Sequence, residues 1–236
     1  MVRHEANPAR KRPYTAVTLR ILAALLAYPD ARLRGHLPEM AALLKDERAL
    51  SAARSGELLA LMAALERADP LDSEAAYVEL FDRSRATSLH LFEHVHGDSR
   101  DRGPAMIDLG QTYEKAGLIL AEGELPDYLP AVLEFVSTQP PGEARAFLGE
   151  IAHLLKGIFG ALRKRESAYA SILGALLDLA GEKAAAVEPA PEPPLDESWA
   201  EPQVFDGCST QGQARPGQPQ PVHIVRKSSH AQGASS

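Results

Sequence analysis

Three histidines at positions 90, 94 and 96, with Glu93 among them, are the residues of this chain best placed to do chemistry. On a helix His90 and His94 stand one turn apart, so two imidazole nitrogens and a carboxylate could meet a divalent cation. The order departs from H-E-x-x-H, because here the Glu directly precedes the second His and no further ligand is evident. The plainer reading is that His94 or His96 hydrogen-bonds the turn at Gly97, neutral near pH 7 or partly charged beside Glu93. Nucleophiles are scarcer still. Cys208 is the one cysteine, placed in a Pro- and Gln-rich stretch, and no G-x-S-x-G elbow, G-x-G-x-x-G turn or phosphate-binding loop occurs. A single cysteine cannot make an intramolecular disulfide, a Cys-x-x-Cys zinc site or an iron–sulfur cluster, and it fits a reducing cytoplasm. The inventory points to binding rather than catalysis, with no catalytic residue and no metal expected.

The histidines belong to Tyr77–Gly103, the densest functional stretch of the chain. It holds Arg83, Arg85, Arg100 and Arg102 together with Glu79, Asp82, Glu93, Asp98 and Asp101. Two readings stand. In one the stretch is a solvated helix surface, with Tyr77, Leu80 and Phe81 inward, Leu89, Phe92 and Val95 inward one helix later, and local pairs of Asp82 with Arg83 or Arg85 and of Asp98 and Asp101 with Arg100 or Arg102. In the other, breaks at Arg85–Ser88 and Gly97–Pro104 leave a helix between two polar corners, whose guanidinium forks and carboxylates form a rim that receives a partner.

The elements that must position this stretch are helical. Apolar residues are 45% of the 236, and Ala and Leu outweigh the β-branched and aromatic residues that strands draw on, so an all-α protein is expected. The net charge of −7 argues against nucleic acid as the main partner. Arg20 interrupts the first apolar run and no stretch approaches the roughly 20 residues of a membrane span, so no membrane insertion is expected.

A loose basic arm is expected over 1–12, a helical domain over 13–186 and a disordered Pro-, Gln- and Gly-rich tail over 187–236. Within the domain, about eight helices are read. The first buries Val17, Ile21, Ala24, Leu25 and Tyr28, and Pro29 ends it. The second is interrupted by Gly35 and Pro38, and the third, over Ala49–Ala68, carries Leu58, Leu61, Met62 and Leu65. Asp72 or Ser73 caps the fourth. After Pro104, Met106, Leu109, Tyr113 and Ala116 share a face, and Glu124–Pro130 makes a compact corner. The longest helix runs from about Glu143 to Arg165, with Gly149, His153, Gly157 and Gly160 as a small-residue groove, and the last ends at Gly181.

Tyr77-x-Glu-Leu-Phe-Asp-Arg-x-Arg-Ala-Thr-Ser-Leu, followed by Leu91-Phe-Glu-His-Val-His-Gly-x-Ser-Arg-Asp-Arg-Gly103, resembles the signature of the NarJ family, the delta subunit or assembly chaperone of respiratory nitrate reductase. Leu25-Leu-x-Tyr-Pro-Asp30, Asp69-Pro-Leu-Asp72, Glu124-Leu-Pro-Asp-Tyr-Leu-Pro130 and Arg165-Glu-Ser-x-Tyr169 support it, from Ile21 to Trp199 in order. The resemblance implies a non-enzymatic, cytoplasmic, all-helical chaperone. Its partner would be the apo catalytic (alpha) subunit of membrane-bound nitrate reductase, held by its N-terminal segment, with cofactor-delivery proteins as further partners. It would bind no cofactor permanently and would act on insertion of the molybdenum cofactor into that client. The partner site is expected at Tyr77, Glu79, Phe81, Asp82, Arg83, Arg85, Leu89, Phe92, Glu93, His94, His96, Asp98, Arg100, Asp101 and Arg102, with acids meeting a basic peptide and Phe81, Leu89 and Phe92 as an apolar floor. The alternative is a direct carrier whose arginines grip the cofactor's phosphate.

Overall fold

Helices α1 (Ala16–Leu26) and α10 (Ala170–Ala180) are apolar almost all round, which places them inside the bundle rather than on its surface. The computed structural model describes residues 16–97 and 99–185, all of them α-helix, turn or loop apart from one isolated bridge pair. These residues lie within the compact unit Met1–Glu192; the second unit, Pro193–Ser236, falls outside them, as do the expected arm over 1–12 and tail over 187–236. No described helix is long and apolar enough to cross a membrane.

Ten α-helices are present among the described residues. α7 (Leu129–Thr138) packs along α1, while α8 (Pro141–Glu150) and α9 (Ala152–Lys164) pack on α10. α2 (Ala31–Glu47) and α3 (Ala52–Arg67) cover the opposite side, α2 against α1 and α3 against α10. α4 (Pro70–Phe81), a 3-10 turn (Arg85–Thr87), α5 (Leu91–Val95) and α6 (Arg102–Lys115) carry the signature stretch and its continuation.

Several expectations are corrected. α2 runs through Gly35 and Pro38 without a break. Asp30 caps it through Leu33 N–H at 2.8 Å, Leu33, Leu37, Met40 and Leu44 bury one face, and Arg34 reaches across to the Ala68 carbonyl at 2.6 Å. Tertiary packing here outweighs the proline's local cost. Asp69, not Asp72 or Ser73, caps α4: its carboxylate accepts from Leu71 N–H at 2.9 Å, and Pro70 occupies the first turn where its missing donor is harmless. The expected long helix is two, because Ile151 has φ −88° and ψ 2°. The break lets α8 and α9 each lay a stripe on α10, and it divides the small-residue groove. Gly149 and His153 are exposed and a Cβ added at Gly149 or Gly157 would meet nothing within 4 Å, whereas Gly160 is buried. Tyr28 lies beyond the end of α1 and is 43% exposed rather than buried. Ala116 is likewise exposed at the end of α6, whose one buried side chain is Tyr113.

Candidate functional site

The helix expected over Leu89–Val95 begins only at Leu91, and the reason builds the site. Residues 88–90 are extended and pair with the Glu124–Pro130 corner: Leu129 N–H donates to the Leu89 carbonyl at 2.8 Å and Leu91 N–H to the Asp127 carbonyl at 3.0 Å. Only Leu91–Val95 is then left to form α5. Leu89 is buried, Phe92 is half-buried, and Val95, expected inside, is 53% exposed.

Asp127 is the centre of this junction and is fully buried. Its carboxylate accepts from Phe92 N–H at 3.1 Å and meets His90 Nδ1 at 3.3 Å, while Arg102 stands 3.9 Å away and is shared with Glu93 at 3.7 Å. A buried carboxylate persists only with such partners. The hydrogen bond to Asp127 raises the His90 pKa above 6.5, with the Asp127 and Glu93 charges adding and partial burial and Arg102 opposing. Since the folded value lies above the unfolded one, the stabilisation is complete below about pH 6.5 and is lost as pH rises through the folded value. Thermal melting is expected to fall across that interval, and His90→Phe is expected to flatten the profile; identical slopes in both proteins would contradict it.

An aromatic cluster supports the other side. Tyr77 donates its hydroxyl to the Leu26 carbonyl at 2.7 Å and lies 3.2 Å from the Tyr128 hydroxyl. Its ring packs at 4.8 Å on Phe81 and 5.6 Å on Tyr28, and Phe81 packs at 5.2 Å on Tyr169. Burial pushes the Tyr169 pKa up to about 12, and its hydroxyl is buried with no hydrogen-bond partner. Removing an orphaned polar atom costs nothing in contacts, so Tyr169→Phe is expected to stabilise the fold by about 1 kcal/mol, read as a raised urea midpoint. Arg165 fixes the segment after α4 from below, donating to Thr87 Oγ1 at 3.1 Å and Ser84 Oγ at 2.6 Å, while Thr87 Oγ1 donates to the Leu80 carbonyl.

Two adjoining cavities open above these supports and share Phe81, Asp82 and His90 as a common wall. One, about 430 Å³, is lined by Tyr28, Tyr77, Leu89, Leu125 and Tyr128. The other, about 460 Å³, is polar, with Arg83, Arg85, Glu93 and Arg102. Phe81 and Leu89 are among the residues lining the first cavity, whereas Phe92 packs at 5.3 Å against His96.

Among the described residues, the pairs expected for Asp82 and Asp101 are not the ones formed. Arg83 pairs with Glu79 at 2.8 Å, and Arg102 with Glu93 and Asp127. Arg85 donates to the Glu93 carbonyl at 3.0 Å and lies over Gly97, whose φ of +53° and missing Cβ leave it room. His94 Nε2 bonds the Ser88 carbonyl at 2.9 Å rather than the Gly97 turn. Arg100 and Asp101 are exposed, the latter accepting from Ser99 Oγ at 3.2 Å; Asp98 lies outside the described residues. Among the described residues, the Asp82 carboxylate has no cationic partner.

Sequence reasoning missed Asp127, Tyr128, Tyr28 and Arg165 as parts of this site. The corner and the Arg165–Tyr169 segment were visible as motifs, but what they touch lies 35 to 81 residues away in the chain.

The nitrate reductase delta subunit family model matches residues 36–171. The NarJ nitrate reductase molybdenum cofactor assembly chaperone of Escherichia coli K12 is 47% identical over 164 residues, 70% of each chain. NarW of the same strain is 42% identical over 69% of this chain and 68% of its own, and NarJ of Bacillus subtilis 168 is 30% identical over 68% and 86%. A solved structure from Archaeoglobus fulgidus, described as a candidate redox enzyme maturation protein, shares the fold with a TM-score of 0.54 at 18% identity, covering 76% of this chain and all of that one. These relatives carry the names of assembly chaperones and not of catalysts. With a family match over residues 36–171 and 47% identity across most of a known chaperone's length, the chain belongs to the nitrate reductase delta subunit family.

Proposed function

We propose that this protein is a cytoplasmic, non-catalytic chaperone of respiratory nitrate reductase, which binds the N-terminal segment of the apo catalytic subunit and holds it open for molybdenum cofactor insertion. The observation that carries the reading is Asp82, an exposed carboxylate with no cation of its own among the described residues, set on the wall shared by an apolar and a polar cavity. An amphipathic helix with one apolar anchor and one Lys or Arg a turn away satisfies both halves at once. Tyr28, Tyr77 and Leu89 receive the anchor, and Asp82 receives the cation. The mechanism is mass action: binding only the immature conformer stabilises it by RT ln(1 + [L]/Kd), and cofactor insertion removes that conformer and so releases the chaperone. No nucleotide is consumed.

Direct carriage of the cofactor is the weaker reading, because Arg83 and Arg102 are engaged by acids and Arg85 by a carbonyl. Capture of the tagged protein from nitrate-respiring cells, with mass spectrometry and molybdenum analysis of the eluate, tests the proposal. A cofactor-poor nitrate reductase catalytic subunit is the expected dominant partner. Its absence, with another enzyme in its place, overturns the client assignment.

A further inference from the structure

The polar cavity beside Asp82 holds a second uncompensated charge, of the opposite sign. Its charged and titratable lining is Asp82, Arg83, Arg85, His90, Glu93 and Arg102. Among the described residues, Arg83 pairs with Glu79, Arg102 stands between Glu93 and Asp127, and His90 meets Asp127. That leaves Asp82 and Arg85, both exposed, with no ion pair between them or to any other described residue. Arg85 is nevertheless held in place. Its Nε and Nη2 both donate to the Glu93 carbonyl, at 3.3 and 3.0 Å, and its guanidinium lies over Gly97, where a Cβ would collide with it. A carbonyl fixes the fork but brings no countercharge, and Nη1 has no hydrogen-bond partner among the described residues. A guanidinium fixed in this way loses little freedom on meeting a carboxylate.

The two charges also come in a fixed order. Asp82 lies on the wall shared with the apolar cavity, whereas Arg85 lines the polar cavity alone. Outward from Tyr28, Tyr77 and Leu125 the groove therefore presents apolar surface, then an acid, then a base. We propose that Arg85 is a specificity-determining residue of this groove, selecting a client helix that carries an Asp or Glu one turn beyond its Lys or Arg, on the side away from its apolar anchor. The inference rests on the groove being the client site proposed above. Residues three or four apart share a helix face, so anchor, cation and acid on successive turns meet the apolar cavity, Asp82 and Arg85 in that sequence. A segment with cations at both places would set one of them against Arg85, and that repulsion excludes it. With the other arginines matched by acids, the cavity has no net positive charge to draw in a phosphate and suits a segment bearing both signs.

The test uses the full chain and three fluorescein-labelled synthetic helices of one length and background. The first has a Leu anchor, a Lys one turn on and a Glu one turn further; the second exchanges the Lys and the Glu; the third has Gln in place of the Glu. Reversing a helix in the groove does not convert the first into the second, because the order is counted from the anchor. In anisotropy titrations at low salt the first peptide is expected to bind tightest, the exchanged one about tenfold more weakly and the Gln one about threefold more weakly. Arg85→Gln removes the charge and keeps an amide donor near the place of Nε for the Glu93 carbonyl. It is expected to bring the first peptide down to the affinity of the third and to leave the third unchanged, a coupling that a merely structural role for Arg85 would not produce. Equal affinity of the parent for the first and second peptides, or for the first and third, overturns the inference without any variant. An Arg85→Gln protein that loses the first and third peptides alike overturns it as well. If all three bind equally and all are weakened by Asp82→Lys, the inference alone fails; if none binds, the groove reading fails and takes the inference with it.

Discussion

Asp127→Ala is expected to lower the stability of the bundle by about 3 kcal/mol, the cost of stranding buried donors once their acceptor is gone. For a domain of this size that corresponds to roughly 6–12 °C in melting temperature, followed by circular dichroism at 222 nm. Phe92 N–H and His90 Nδ1 lose the carboxylate they share, and Arg102 loses one of its two acids. Asp127→Asn keeps an acceptor for Phe92 N–H and is expected to lose less than half as much. It also weakens the hydrogen bond and removes the charge by which Asp127 raises the His90 pKa, so the variant should lack most of the pH-dependent part of the stability. If Asp127→Ala melts within a degree or two of the parent, the junction between the two chain segments rests on their backbone pairing and not on this side chain.

Asp82→Lys is expected to separate binding from stability. Asp82 is the residue that ends α4, where the exposed carbonyls favour a cation and penalise an acid. A lysine there suits the helix better, so the fold should hold or gain a few tenths of a kcal/mol. Affinity for the N-terminal segment of the nitrate reductase catalytic subunit should nevertheless drop about tenfold, the effect of replacing an attraction with a repulsion at an exposed site. Raising the salt from 50 mM to 500 mM, about a threefold shortening of the screening length, should shrink the gap between variant and parent. Isothermal titration at both salts reads the outcome. Unchanged affinity at low salt would remove Asp82 from the site. An acid kept where helix energetics prefer a base is the kind of local inconsistency expected where binding, not folding, has set the residue.

Periodicity alone located α1, α3 and α10 and the glycine that ends the last of them, because their buried positions recur at helical spacing and Gly181 adopts φ 84°. It failed where a single residue decides. Ile151 leaves the helical region two residues after Gly149, a glycine that reads equally well as helix interior, and Pro38, itself exposed, stays helical between the buried Leu37 and Met40. In the signature stretch the residue types were legible and their partners were not. Asp82, Arg83 and Arg85 are close enough in sequence to pair, yet Arg83 chooses Glu79 one turn back and Arg85 turns to a carbonyl eight residues on. Val95 is the last residue of α5, a helix shortened to five residues because residues 88–90 are claimed by the corner around Asp127, and it is exposed there. Leu89 and Phe81 were assigned to an apolar floor on grounds that fit a core equally well; they are buried and also line the cavity.

The chain leaves the bundle after Leu89 and returns at Leu129, and these two residues are joined by a 2.8 Å hydrogen bond. Everything between them is therefore an excursion closed at its neck, tied inside chiefly by Asp127 and by Tyr113, whose hydroxyl donates to the Pro126 carbonyl at 2.8 Å. In polymer terms its length is nearly immaterial to the remainder, since the closure penalty grows only with the logarithm of the number of residues enclosed. A protease cut between Gly117 and Gly123, both at positive φ and both exposed, should accordingly leave two fragments that stay together and melt as one.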